Sequence, residues 1–329
     1  MVSIKDVAKH AGVAISTVSK VLNNYPNVSK EMKEKVNRSV EELKFVPNSV
    51  AAALSSKQSG RVALLINLSM TTQAIDEIDM RYLAGAITKA TELGLDVITF
   101  FFSMFENKTL NEVIRYLQAQ SITGIIIYGM SKRDKVFQEL IDSQTFKAVI
   151  VDAPFANEST SSLWVNQTKA QYEVAKKTAA DNKCKSMLYI AGKKNAYVTE
   201  ERIKGIQKLQ KEMGLKVTIR YGEFSELAAR NITLQYAKNK DMIACASDLM
   251  AIGAMHALME MDIFRPVCGF DGITLMGYAG KQMNTVKQDF AVISAAAVEE
   301  VRYLMDKGVG RNRILPHEIV RLQYKDIIC

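Results

Sequence analysis

Residues 4–24 hold the groups whose spacing most clearly implies chemistry. Two short apolar-periodic runs flank Gly12: Ile4, Val7, Ala8 and Ala11 before it, and Val13, Val18, Val21 and Leu22 after it. That spacing describes two helices joined by a tight glycine turn, each too short to persist alone and therefore packed on a third. The second run leaves Ser16, Thr17, Ser19 and Lys20 on its uncommitted face. Small hydroxyls and a cation suit a helix that enters a groove and touches phosphates and base edges. A small helical cap with a solvated polar face is the plainer alternative.

A third helix is expected from Ser29 to Leu43, with Ser29 as N-cap and Met32, Val36, Val40 and Leu43 at helical spacing. Pro47 is expected to stop it, and Asn48 or Ser49 to cap a short alanine-rich fourth helix. Charge placement agrees with a polyanionic partner. Residues 1–60 carry nine Lys/Arg against five Asp/Glu, while the other 269 residues carry 34 against 30 within a net charge of +8. The basic surplus is therefore several times denser at the N-terminus.

From residue 61 the pattern changes. Apolar strand candidates at Val62–Leu68, Asp96–Phe102, Gly124–Tyr128, Ala148–Val151, Met187–Ala191, Met242–Ala246 and Val267–Phe270 alternate with amphipathic stretches. Those stretches are Tyr82–Leu93, Leu110–Gln120, Val136–Ser143, Ala170–Asn182, Glu201–Met213, Leu227–Lys238 and Leu249–Met261. Apolar runs alternating with helices imply parallel sheets covered on both faces, an α/β class. The length exceeds one doubly wound domain, so two lobes with a ligand at the strands' carboxyl ends is the economical arrangement.

Other function classes are disfavoured. The four cysteines are scattered without a C-x-x-C pair and the three histidines are far apart, so neither a disulfide framework nor a metal cluster is expected. No signal-like segment and no run of 18 apolar residues is present, which points to a cytoplasmic protein without a membrane partner. A two-lobed solute-binding protein would need a signal peptide and no DNA-binding head. An enzyme would need a nucleophile, metal or phosphate loop, and no such motif is found; no cofactor is expected.

Ile4-Lys5-Asp6-Val7-Ala8, Ala11-Gly12-Val13, Thr17-Val18-Ser19, Val21-Leu22-Asn23 and Pro47-Asn48 through Ala51 to Leu54 resemble, in that order, the lactose repressor/galactose repressor family of bacterial transcription regulators. The resemblance implies a helix-turn-helix head over 1–47, a hinge helix and linker over 48–59, and a two-lobed periplasmic-binding-protein-like core over 60–329 crossed three times by the chain. It further implies a homodimeric repressor on a pseudo-palindromic double-stranded operator, controlled by a small polar effector such as a sugar or sugar phosphate. The DNA-contacting set it implies is Lys5, Ile15, Ser16, Thr17, Ser19, Lys20, Asn24, Ser29, Asn48, Ala51, Leu54 and Lys57, with Leu54 as a minor-groove wedge.

In the core, Glu201-Arg202-Ile203-Lys204-Gly205 is similar to the family's E-R-x-x-G block, and Gly269-Phe270-Asp271-Gly272 to its G-[FY]-D block. The effector set so implied is Arg202, Phe224, Ser247, Asp248 and Asp271. An arginine and an aspartate facing one cleft suit a polar or polyhydroxylated ligand. Read singly, Arg202 would be a surface cation, Asp271 a turn former and Phe224 a core ring.

Departures from the family pattern are specific. Val165-Asn166-Gln167 replaces an Asp-Asn pair, Ser247 an asparagine, and Ile75-Asp76-Glu77-Ile78-Asp79 an aromatic pair. Either the ligand differs from a common hexose or nucleobase, or effector control is weak. In the head, Ala14 stands where a capping serine is usual and Lys20 where arginine is commoner, keeping charge but not the bidentate fork. The C-terminal Asn284–Gln288, Val301–Met305 and Ile314–His317 segments resemble the catabolite control protein branch, whose helix binds a phosphorylated carrier protein. Phe290-Ala291 does not reproduce that branch's Tyr-Asp pair, which weighs against such a partner.

Overall fold

The computed structural model describes residues 2–22, 25, 27–45, 60–68, 77–279 and 283–322. The expected hinge helix, and with it Asn24, Asn48, Ala51, Leu54 and Lys57, lies outside them. The chain divides into two compact units, Met1–Ser59 and Gly60–Cys329.

In the first unit, α1 (Ile4–Ala11), α2 (Ile15–Leu22) and α3 (Lys30–Glu42) enclose a core of Val7, Ala8, Ala11, Val18, Val21 and Val36. Ile4, Val13, Leu22, Val40, Leu43 and Phe45 pack on it half-buried. Ser3, not singled out in the sequence, caps α1 in a reciprocal box with Asp6. Gly12 ends α1 at φ +59, and Val13 N–H reaches back to Ala8 O at 3.0 Å. The α3 boundaries fall at the expected Ser29 and Leu43, but the residue that stops the helix differs from expectation. Just past the Leu43 C-cap, Lys44 takes φ +47 while Phe45 N–H bonds Val40 O at 2.9 Å, so a left-handed lysine stops the helix ahead of Pro47. Ser29 does cap α3, accepting from Met32 N–H at 3.4 Å.

The second unit is two sheets. The first contains β1 (Arg61–Ile66), β2 (Asp96–Phe101), β3 (Ile122–Tyr128), β4 (Lys147–Val151), β5 (Thr160–Val165) and β11 (Asn312–Leu315) in the order β11-β5-β4-β3-β1-β2, all parallel. The second contains β6 (Ser186–Ala191), β7 (Lys216–Tyr221), β8 (Met242–Cys245), β9 (Val267–Cys268), β10 (Asn284–Lys287) and β12 (Glu318–Arg321) in the order β12-β10-β9-β8-β6-β7. Its edge strand β12 is antiparallel to β10, the one departure from parallel pairing among the named strands.

Helices α4 (Glu77–Glu92), α5 (Leu110–Ala119), α6 (Lys135–Asp142) and α12 (Phe290–Met305) belong to the first lobe. Helices α7 (Gln167–Asp181), α8 (Tyr197–Met213), α9 (Glu226–Tyr236) and α10 (Asp248–Glu260) belong to the second, and a short α11 (Leu275–Tyr278) follows β9. The chain passes between lobes at β5 to α7, at β10 to α12 and at β11 to β12, three crossings in all. Strands β5, β7, β10, β11 and β12 are not among the strand candidates: β5 is buried but opens on Thr160-Ser161-Ser162, which breaks its apolar run, and the others are short or half-exposed.

Three helix pairs cross at a glycine. A Cβ at Gly85 of α4 would meet Ala291 O of α12 at 2.1 Å, one at Gly205 of α8 would meet Thr168 O of α7 at 2.4 Å, and one at Gly253 of α10 would meet Glu226 O of α9 at 2.2 Å. Across the α7–α8 crossing, Thr168 Oγ1 also donates to Glu201 O at 3.0 Å. Glu201, Arg202 and Gly205 therefore act together: two residues dock α8 on α7, and the docking sets the register of Arg202. In the first lobe, buried Glu300 of α12 receives Ser161 Oγ at 2.8 Å, Arg311 Nε at 2.9 Å and Arg313 Nη1 at 3.1 Å. Burial would raise that carboxyl, and the Arg311 and Ser161 hydrogen bonds outweigh it and hold it below the usual glutamate range.

Because the obstacle at Gly205 is backbone, a methyl group there cannot be relieved by a rotamer change. Gly205→Ala is expected to lower unfolding free energy by about 2–3 kcal/mol in urea titration. Stability equal to wild type would show that the helices do not meet this closely in solution.

Candidate functional site

The head presents one polar surface. On α2, Ile15 is 45% exposed and Ser16 and Lys20 are exposed, while Thr17 and Ser19 are half-buried. Lys5 on α1 and Ser29 and Lys30 at the start of α3 are exposed as well. Ile15 and Ser16 lie in the first turn of α2, which carries no acidic residue, so its N-terminal partial positive charge is uncompensated. His10 ties the scaffold behind this face, with Nδ1 3.2 Å from Ser39 Oγ and Nε2 3.6 Å from Glu42.

Between the two lobes of the core, one cation organises a set of acids and amides. Arg202, on the second turn of α8, is only 4% exposed. Its Nη1 donates to Ala246 O, its Nε donates to Gln167 Oε1 at 2.9 Å, and Nη2 lies 3.8 Å from Asp271 Oδ1. Its guanidinium stacks 3.6 Å from the centroid of Phe270. Gln167 in turn donates through Nε2 to Asp152 Oδ1 at 3.0 Å, and the Tyr82 hydroxyl bonds the same carboxylate. Nearly every contributing segment directly follows a strand: Asp152 follows β4, Gln167 β5, Ala246 β8, Asp271 β9 and Gln288 β10. That is where parallel sheets leave outward-facing loop groups.

The five expected core residues divide by role. Arg202 and Asp271 (8% exposed) come together in this site. Asp248 is wholly buried and already engaged, accepting from Gly272 N–H at 2.7 Å, Ile273 N–H at 2.9 Å and Thr285 Oγ1 at 2.5 Å. It fixes the loop that carries Asp271. Ser247 caps α10, accepting from Met250 N–H at 3.3 Å. Phe224, at φ +59 beyond β7, lays its ring where a Cβ on Gly192 would stand. The site also contains residues absent from the expected set: Asp152, Gln167, Gln288 and Tyr82. Of these only Gln167 carried a signal, as the departure from the usual pair after β5.

On the first-lobe wall, Tyr82 of α4 meets Tyr128 at 4.7 Å and Phe290 at 5.2 Å between ring centroids. This cluster supplies aromatic surface that the sequence lacks near residue 79. Contacts join the lobes on either side of the cleft. Thr274 donates through N and Oγ1 to Glu77 at 2.8 and 2.7 Å, and Lys132 pairs with Glu200 at 2.6 Å. Among the described residues, no group of three His, Cys, Asp or Glu side chains is placed to hold a metal ion. No described helix is long and apolar enough to cross a membrane.

Backbone and charge are both under constraint here. Asp152 and Asp271 hold φ of +61° and +123°, conformations that persist only where surroundings enforce them. Burial pushes the Asp271 carboxyl up to about 8 despite Arg202 beside it, and burial raises Asp248 to about 6 against its hydrogen bonds from Thr285 and the loop N–H groups. A carboxyl raised in the folded state binds more protons there than when unfolded, so stability must fall as pH rises through that interval. Melting temperature is expected to decline from pH 5.5 to 8.5 and Asp271→Asn to flatten the upper part of the decline. An unchanged profile in the variant would mean that Asp271 is ionised throughout.

With this geometry in view, comparisons with known proteins become specific. Residues 3–48 match the family model "Bacterial regulatory proteins, lacI family", and residues 80–280 match "Periplasmic binding proteins and sugar binding domain of LacI family". The ribose operon repressor of Halalkalibacterium halodurans is 30% identical over 90% of this chain and 88% of its own length. Catabolite control protein A of Staphylococcus aureus is 25% identical over 97% of both. Among solved structures, the lac repressor dimer bound to operator and the anti-inducer ONPF superposes with a TM-score of 0.81 at 24% identity, over 97% of this chain and 98% of that one. Head and core, matched in this order over nearly the whole length, show that the chain belongs to the lacI family of bacterial regulatory proteins.

Proposed function

We propose that this protein is a homodimeric transcriptional repressor whose hold on an operator is set by a small polar effector in the cleft around Arg202. The observation that carries this reading is the pairing, in one chain, of a basic head exposing Ile15, Ser16 and Lys20 on one helix with a buried Arg202–Asp271 pair between two sheets. Two heads related by a dyad would address the half-sites of a pseudo-palindrome, with affinity from phosphate contacts and base preference from Ile15, Ser16 and Lys20. Lys20 would supply a point charge where an arginine would supply a bidentate fork. The sugar-operon regulators among its relatives favour a sugar as effector.

Closing the lobes about a ligand would act through the three crossing segments, because these are the covalent links that both sheets share. The carrier-protein mode of control finds no support in the segment that would bear it. Phe290 is buried against Tyr82, and the Ala291 backbone lies under Gly85.

Operator binding by the full chain should show a steep negative salt slope in mobility-shift assays. Lys30→Ala should weaken all operator variants alike, and Ser16→Ala should change which base is preferred. Identical uniform losses from both substitutions would remove α2 from base readout.

Arg202→Ala should keep operator affinity within about threefold of wild type without effector and lose the response to it. A compound that shifts operator affinity equally in wild type and Arg202→Ala would place the effector elsewhere.

A further inference from the structure

We propose that the second lobe carries a further binding site, at the end of its sheet remote from the cleft, for a small apolar α-amino acid. The cleft groups stand at the carboxyl ends of the strands. At the opposite end of the same sheet lies a cavity of about 240 Å³. Its lining comes from the first residues of β9 and β10, the last residue of β12 and the C-terminal turns of α7 and α10. Met255, Leu258, Val267 and Met283 give it buried apolar walls, with Ile263 half-buried beside them. Since a cavity of about 150 Å³ holds a benzene ring, this one has room for a branched or aromatic side chain and a short polar head.

The polar groups of the lining decide the head. Asn284 is 1% exposed; its Nδ2 donates to Thr178 Oγ1 at 2.8 Å, and its Oδ1 has no hydrogen-bond partner. Turning the amide would not help, because the Thr178 hydroxyl already gives its proton to Val174 O at 2.9 Å. A buried acceptor in this state is stabilised by a donor brought in from outside. Helices α7 and α10 both end here with no basic residue in the last turn, so their C-terminal partial negative charge favours a cationic donor, an ammonium. Arg321 is the cross-strand partner of Asn284 and is exposed, which puts a guanidinium at the rim on the same face, suited to a carboxylate. Arg265, the other cation of the lining, is engaged by Lys238 O, Lys240 O and Phe264 O and shapes the loop instead. An ammonium beside Asn284, a carboxylate beside Arg321 and an apolar body between them describe one compound class. A lone water would satisfy Asn284 but leave the apolar walls wet.

Calorimetry and thermal shift on the full chain test this with L-leucine, L-isoleucine, L-methionine and L-phenylalanine. The comparison probes are isocaproate and hydrocinnamate, which lack the ammonium, L-leucinamide, which lacks the carboxylate, and L-glutamate, whose side chain is charged. At least one apolar amino acid is expected to bind and raise the melting temperature, with each comparison probe about tenfold weaker or more. Asn284→Leu should remove that binding. Arg321→Gln lies on the exposed rim and should weaken binding about tenfold without moving the unliganded melting temperature, so it carries the test should Asn284→Leu fail to fold.

An amino acid that binds wild type and Arg321→Gln alike overturns the proposal, and so does isocaproate binding as tightly as leucine. A response lost in Arg202→Ala and kept in Arg321→Gln would put the amino acid in the cleft, which also overturns it. If none of the four amino acids binds or stabilises wild type, the cavity holds water alone and the proposal falls, while the effector reading of the cleft stands untouched.

Discussion

A buried guanidinium must be answered on every side, and much of the core is arranged to answer Arg202. Taking such a charge out of water costs several kcal/mol unless hydrogen bonds and opposite charge replace hydration. Here the replacements come from three chain segments: a carbonyl after β8, an amide after β5, and a carboxyl and a ring on the loop after β9, that carboxyl being held in turn by an amide after β10. Apart from Gln167, which opens α7, these groups lie on loops, so each needs a rigid support. The strands supply it, and Asp248 adds a second clamp by holding the Gly272–Ile273 turn.

The same constraint explains why α8 and α7 must touch backbone to backbone. A guanidinium reaches only as far as its helix allows, and Gly205 brings that helix close enough for Arg202 to meet Gln167 from the neighbouring helix. The E-R-x-x-G pattern is thus a packing device as much as a binding one. Its glycine and glutamate dock the helix, and the arginine uses the position they create.

Much of the head was legible because its signals are local. Ser29 sits at a cap, Gly12 at a left-handed turn, and the apolar positions recur at helical spacing. Central strands of both sheets were legible for the same reason, since burial on two faces leaves a continuous apolar run. What escaped was non-local. Short β10, β11 and β12 owe their existence to pairing with strands far away in the chain, and Lys44 ends α3 through a conformation that no composition rule assigns to lysine. In the cleft, Arg202 and Asp271 were visible from their blocks. Asp152 and Gln288 were not, because a single carboxyl or amide after a strand resembles any other loop residue until the fold brings it beside a partner; Gln167 showed only as a departure from the usual pair, and Tyr82 only as one apolar position of a helix. Asp248 shows the converse, since its place in the sequence says nothing of the three hydrogen bonds that occupy its carboxylate.

The last named strands, β11 and β12, close opposite sheets: β11 pairs with β5, about 150 residues earlier, and β12 covers the edge of β10. Synthesis therefore leaves both lobes with an open edge until residues 312–321 emerge, and Glu300 waits until then for Arg311 and Arg313. An unpaired parallel edge and an unanswered buried carboxylate are both liabilities in a nascent chain. The core must hold most of its apolar surface in a provisional, incompletely closed form while the ribosome finishes. Closure of both sheets thus waits on a stretch nearly 300 residues along the chain from the head that precedes them.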